Sequence, residues 1–288
     1  MSYDCRDRVI VITGAAGGIG TALARTLAGR GARLVLVDLD RAKVDALREE
    51  LPGSHRSYAC DLTRRDEVES LLQFIEDSEG RIDVLVNNAG MTSTARFDRR
   101  SVESIEQELQ VNLIAPLVLS RLAIDLLKNS DDPRLLSTVS LGGIFPLGET
   151  PIYTASKFGL RGAMLSIAMD LRAKGIRVGS ILPSATDTPM LQDEAIEGGN
   201  SLQFLDPPQS PEDVARCYLR MLDSPRMERY PRLSESWLVR VVMLAPDLIP
   251  RLLPLFRGRG DRGMLRYLEN LQTRGIARRT AIGWERVR

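Results

Sequence analysis

Between residues 8 and 38 the chain sets out an order of elements that leaves few folds open. Val9, Ile10, Val11 and Ile12 form a short, unbroken apolar run, the pattern of a parallel strand covered on both faces. Thr13-Gly14-Ala15-Ala16-Gly17-Gly18-Ile19-Gly20 follows at once and opens a helix that runs to about residue 30. Leu34, Val35, Leu36 and Val37 then form a second strand ending at Asp38. A glycine turn in this place, after a strand and before a helix, lets backbone N–H groups approach a pyrophosphate lying on the positive end of the helix. Asp38 stands where a carboxylate accepts both hydroxyls of an adenosine ribose and repels a 2′-phosphate, which predicts NAD over NADP. Two alternatives stay open: Asp38 or Asp40 caps the helix over 41–50, and Arg41 is near enough to admit NADP.

The alternation continues. A strand over 57–60 ends at Asp61 and Leu62, and a helix over 64–79 carries Leu71, Leu72 and Ile75 on one face. A strand over 82–86 runs into the polar turn Asn87-Asn88-Ala89-Gly90. The helical stretch 101–128 contains Asn112 and Pro116, and the proline should kink it. A strand over 134–139 delivers Ser140 to the same carboxyl edge, and a helix from 152 to about 174 and a strand over 177–182 follow. Strand and helix in strict turn predict an α/β protein with a doubly wound parallel sheet, whose ligands bind at the carboxyl ends of the strands. A helix over 211–223 and a faint last strand over 229–233 complete the unit.

Tyr153 and Lys157 lie four residues apart on the helix, hence on one face. A fixed cation beside a phenol favours the phenolate and would bring the phenol towards working pH. A buried ring with a snorkelling amine is the structural alternative. Other acid-base chemistry is constrained by composition. His55 is the single histidine, which argues against Ser-His-Asp chemistry, Cys-His chemistry and His-Glu-x-x-His metal binding. Cys5, Cys60 and Cys217 are three thiols without a paired spacing, so neither a disulfide framework nor a metal site is expected. A net charge of +1 gives no signal for nucleic acid. Residues 1–8 hold no apolar signal core, so the protein is expected in the cytoplasm.

Taken together, Thr13-Gly14-x-x-x-Gly18-Ile19-Gly20, Asn87-Asn88-Ala89-Gly90, Asn112, Ser140 and Tyr153-x-x-x-Lys157 resemble the short-chain dehydrogenase/reductase family over residues 7–223. The resemblance implies a Rossmann fold and assigns roles residue by residue. Tyr153 would be the general acid-base, Lys157 would lower its pKa and bind the nicotinamide ribose, and Ser140 would hold the substrate oxygen. Asn112 would fix a water in a proton relay behind Lys157. Gly14, Gly17, Gly18, Ile19 and Gly20 would cradle the pyrophosphate, with Asp61 and Leu62 at the adenine and Asn88, Ala89 and Gly90 on the cofactor floor. Pro183, Thr186 and Thr188 match positions beside the nicotinamide, but Ser184 stands where the family has glycine and narrows that space. Ser137, the rival hydroxyl, lies an odd number of residues from Ser140 and should face the other way.

The family also places a mobile lid over about 190–206, with Gly198 and Gly199 as its hinge. Met190, Leu191, Ile196, Leu202, Phe204 and Leu205 would join Leu141, Ile144, Phe145 and Leu147 around a pocket for an apolar alcohol (a steroid, a retinoid or a lipid-like molecule), or each would simply pack the lid on the domain. The expected organisation is a catalytic domain over 1–231 and a helical extension over 232–288. That extension holds twelve Arg against five acids, a net +7, interleaved with apolar residues and Pro246, Pro250 and Pro254. It fits peripheral contact with an anionic membrane, a cover over the substrate mouth or a subunit contact. The expectation is thus an NAD-dependent dehydrogenase working as a homodimer or homotetramer. The rivals are an NADPH-dependent carbonyl or 3-oxoacyl reductase and a catalytically silent, dinucleotide-sensing interaction protein.

Overall fold

The apolar run at the start of the chain becomes β1 (Val9–Thr13), buried along its whole length, as a strand covered on both faces must be. The computed structural model describes residues 3–146 and 148–287, so Leu147 lies outside the described residues. Beside β1 lie β2 (Arg33–Asp38) and β3 (Arg56–Ala59) on one hand, and β4 (Val84–Asn87), β5 (Arg134–Thr138), β6 (Arg177–Ile181) and β7 (Glu228–Arg229) on the other. The order is 3-2-1-4-5-6-7 and every pairing is parallel.

Alternate residues of each strand feed opposite layers. Ile10, Ile12, Leu34 and Leu36 pack under α1 (Gly18–Ala28), α2 (Arg41–Glu50) and α9 (Pro211–Asp223). Val9, Val11, Val35 and Val37 pack under α3 (Arg65–Glu79), α5 (Ala115–Leu122), α6 (Ile124–Lys128) and α7 (Pro151–Leu171). The strand order reverses between β1 and β4, which opens a crevice at their carboxyl ends.

The stretch 101–128 is not one helix. It divides into α4 (Val102–Leu109), a π turn (Gln110–Ile114), α5 and α6. Pro116, in the first turn of α5, has no N–H to give the carbonyl of Asn112 four residues back, and the wider turn absorbs that loss. The last strand is shorter than 229–233, because Pro231 cannot donate to a ladder and α10 (Leu233–Val242) starts at once.

After β6 come α8 (Pro189–Ile196) and a 3-10 turn (Ser201–Phe204), both in the predicted lid. The C-terminal region continues from α10 through a 3-10 turn (Pro246–Leu248) into α11 (Ile249–Thr273), then an antiparallel hairpin of β8 (Ala277–Arg279) and β9 (Trp284–Arg286), which the sequence pattern did not suggest. α11 takes Pro250 into its first turn, where a missing N–H costs nothing, and runs through Pro254. Leu191, Ala195 and Phe204 of the lid region share one core cluster with Tyr267, Leu268, Leu271 and Ala277.

Candidate active site

The glycine turn is built by close approach. Gly14 adopts φ +61°, and a Cβ there would stand 2.8 Å from the Cα of Ala89. One on Gly18 would come within 2.7 Å of Thr188 Cγ2, so the turn and Thr188 are in contact. One on Gly20 would meet the Gly14 carbonyl at 2.1 Å. Gly17 caps α1 with no side-chain hydrogen bond, and the first turn holds no acidic residue. The positive end of α1, with Ile19 packed beneath it, is therefore left to an anion from outside.

Around this turn the other predicted cofactor residues assemble. Asp38 accepts from the backbone N–H of Ala16 (2.9 Å) and of Leu39 (2.8 Å). Asp40 is the residue that caps α2, through Lys43 N–H at 3.1 Å. The Asn88 amide donates to the carbonyls of Thr13 and Gly14 at 3.1 Å each, while Thr13 Oγ1 accepts from the N–H groups of Asn88 (2.9 Å) and Ala89 (3.1 Å). Asn88 thus ties the turn to β4. Thr13, the first residue of the glycine motif, does as much, a role that the resemblance does not assign it. Asp61 accepts from Thr63 N–H at 2.9 Å, closing the turn that carries half-buried Leu62. The Pro183 carbonyl accepts from Leu141 N–H at 2.8 Å. Buried Thr186 donates to the Ser184 carbonyl at 2.9 Å, and Thr188 caps α8. Ser184 needs no left-handed backbone: Asp7 is the one non-glycine residue with positive φ among the described residues. A glycine cradle that a Cβ would fill, an uncapped helix start and a carboxylate at the end of β2 fit a dinucleotide.

Tyr153 and Lys157 occupy the first turns of α7, which Pro151 opens. The Lys157 ammonium lies 5.6 Å from the Tyr153 ring centroid and donates to the Thr138 carbonyl at 3.2 Å. Ser140, just past β5, accepts from Gly142 N–H at 3.0 Å. A Cβ on Gly142 would sit 3.2 Å from Tyr153 Cε1 and 3.4 Å from Ser140 Oγ, so glycine there lets the two hydroxyls converge. Ser137 faces away, buried, and donates to Met164 Sδ at 3.3 Å. Burial opposes the lowering of the phenol expected from Lys157. Burial pushes Tyr153 up to about 12, against the hydrogen bond to Ser140, and pushes Lys157 down to about 8, against the charge of Glu108. Removal of water disfavours both charged forms.

Asn112 sits in the π turn with its side chain committed. Its amide donates to the Met91 carbonyl and accepts from Met91 N–H, both at 2.8 Å, and reaches Ser156 Oγ at 3.3 Å. It thus holds the Gly90 loop to α7. One turn earlier, Glu108 is wholly buried in an ion pair with Arg100. No residue pattern pointed to this pair, because its members are separated by a helix start.

The pocket differs from expectation. Leu141 and Phe145 are half-buried on the turn after Ser140, and Met190 is 39% exposed at the start of α8. Ile144, however, belongs to the core under the sheet. Leu191, Ile196 and Phe204 face α11 rather than a substrate. The tail also latches the loop between Thr186 and Thr188: Tyr267 Oη and Arg274 Nη1 each donate to Asp187 at 2.6 Å. Arg286 holds Asp193 at 2.6 Å.

The family model described as short chain dehydrogenase matches residues 8–197. The chain is 32% identical over 218 residues to the 3-oxoacyl-[acyl-carrier-protein] reductase FabG of Thermotoga maritima, covering 74% of this chain and 89% of that protein. It is 32% identical over 197 residues to the 15-hydroxyprostaglandin dehydrogenase [NAD(+)] of Mus musculus, covering 64% and 70%. A crystal structure of levodione reductase superposes with a TM-score of 0.72 at 22% identity, covering 81% of this chain and 98% of the other. With the family match running through every strand from β1 to β6, the chain belongs to the short-chain dehydrogenase family, oxidoreductases that act on CH–OH groups with NAD(H) or NADP(H).

Proposed function

We propose that this protein is an NAD-dependent dehydrogenase of an apolar secondary alcohol, or a reductase of the corresponding ketone, with Tyr153 as its general acid-base. The observation that carries the reading is the convergence of the Ser140 and Tyr153 hydroxyls over Gly142, with Lys157 one turn along the same helix. A bound nicotinamide supplies the hydride chemistry. In the oxidising direction Tyr153 takes the hydroxyl proton of the substrate while Ser140 donates a hydrogen bond that holds its oxygen. Lys157 carries the proton onward. The Asn112 side chain is spent on Met91, so a relay water there would use its backbone carbonyl, whose α-helical partner Pro116 removes. Gly14, Gly17, Gly18, Ile19 and Gly20 would hold the pyrophosphate, with Asp38 on the adenosine ribose and Asp61, Leu62, Asn88, Ala89 and Gly90 beneath the nucleoside. Pro183, Thr186 and Thr188 would take the nicotinamide end. Leu141, Phe145 and Met190 would border the substrate. We infer one catalytic unit over 1–231, whose lid the segment 232–288 completes, in a homodimer or homotetramer. An NADPH-dependent 3-oxoacyl reductase is the second reading, favoured by exposed Arg41 at the start of α2.

Titration of NAD and NADP against the protein, followed by steroid, retinoid and long-chain alcohols with wild type and Tyr153→Phe, tests this. NAD should bind more tightly, and the variant should keep nucleotide affinity while losing about 10²–10⁴-fold in turnover. Unchanged turnover in the variant would remove Tyr153 from the chemistry. Preference for NADP that survives loss of the Asp38 carboxylate would select the second reading.

A further inference from the structure

Trp237 and Val241 on α10, and Leu248, Leu252 and Leu255 from the 3-10 turn along α11, stand three or four residues apart, the spacing of one helix face on each, with Leu244 in the link between them. The stripe they form looks outward: Leu244 is 84% exposed, Leu255 76% and Trp237 73%. Phe256 extends it. The opposite side is what holds these helices to the body, with Val239 against the core under the sheet and Ile249 buried. An apolar stripe of this length left in water marks an interaction surface.

Charge and path identify what it meets. Exposed Arg251 and Arg262 fall on the stripe's side of α11 and form no ion pair among the described residues. Of the twelve arginines of the segment 232–288, Arg240, Arg259, Arg274 and Arg286 pair with acids of the body, whereas the exposed, unpaired arginines on the side of the stripe call for an anionic partner. The 3-10 turn at Pro246–Leu248 bends the path between α10 and α11. A bent stripe offers no straight seam for the knobs of a second helix, whereas a fluid interface accommodates it, with Trp and Phe at headgroup level and Arg reaching outward. We propose that α10 and the first half of α11 lie in the headgroup region of an anionic lipid bilayer. No described helix is long and apolar enough to cross a membrane, so this is contact along the surface. The second half of α11 packs on the lid and stays with the body. The inference does not depend on the substrate or on NAD.

The full chain would be sedimented with phosphatidylcholine vesicles made with and without phosphatidylglycerol, while Trp237 emission is followed. Binding should favour the anionic vesicles, weaken with salt and shift the emission to the blue. Leu244→Glu with Leu255→Glu should abolish it at unchanged nucleotide affinity. Arg251→Gln with Arg262→Gln should weaken it about tenfold and flatten its salt dependence. Wild type that ignores anionic vesicles, or a glutamate variant that binds them equally well, overturns the proposal. So does a wild-type oligomer that the glutamate pair dissociates without any vesicle binding, which would assign the stripe to a second copy. Should the glutamate variant fail to fold, an unshifted wild-type emission overturns it alone.

Discussion

Lys157 shows how one residue's surroundings outweigh its neighbour in sequence. It is 4% exposed, and burial lowers its pKa from 10.5 to about 8 despite the charge of Glu108. The folded pKa lies below the unfolded one, so between about 8 and 10.5 the unfolded chain binds the extra proton. The stability from the neutral amine is therefore present above that window and lost as pH falls through about 8. Lys157→Met should be more heat-stable than wild type at pH 7, by roughly 3 kcal/mol at most, and inactive. Melting curves across pH should show the advantage vanish above the window, and an advantage independent of pH would contradict the account. The Arg100–Glu108 pair is a second case. Both side chains are buried, and Nε and Nη1 of Arg100 have no partner. Glu108→Leu alone strands the guanidinium and should cost about 3–5 kcal/mol. Adding Arg100→Met should recover most of it in urea unfolding.

At the level of elements, the contact that matters most is between α11 and the 3-10 turn of the lid. A Cβ on Gly263 would lie 1.9 Å from the Phe204 carbonyl oxygen, and one on Gly260 2.6 Å from that of Ser201. Backbone cannot yield at such distances as a flexible side chain would. Gly263→Ala should push the lid off α11, lower the melting temperature and raise KM for substrate while leaving nucleotide affinity unchanged. Steady-state kinetics with a nucleotide titration would check the split, and an equal loss in both would place the effect in the sheet instead. The predicted hinge adjoins this contact: Gly198 has φ +78°, but Gly199 packs closely on Glu194. Lid movement there must also break the links of Arg286 to Asp193 and of the tail to Asp187.

For the whole molecule, the order of elements was legible because its signals are local. Apolar runs and the glycine turn after β1 act over a few residues, so the sheet, the strand ends and the placing of Ser140, Tyr153 and Lys157 follow from them. The same locality let the cap of α2 be narrowed to Asp38 or Asp40, and backbone geometry chose Asp40. What the chain pattern left open depends on segments far apart. The lid's apolar residues read as pocket lining, yet Leu191 and Phe204 meet Tyr267 and Leu271, more than sixty residues on. Lys157 reads as the group that would lower Tyr153, and burial, which the pattern does not show, works against it. Sequence by itself determined the doubly wound sheet and which side chains reach its carboxyl edge, since both rest on periodicity and turn chemistry. Only the tertiary structure decided how dry that edge is and which surface the lid serves, because desolvation and packing sum over neighbours that no local pattern names.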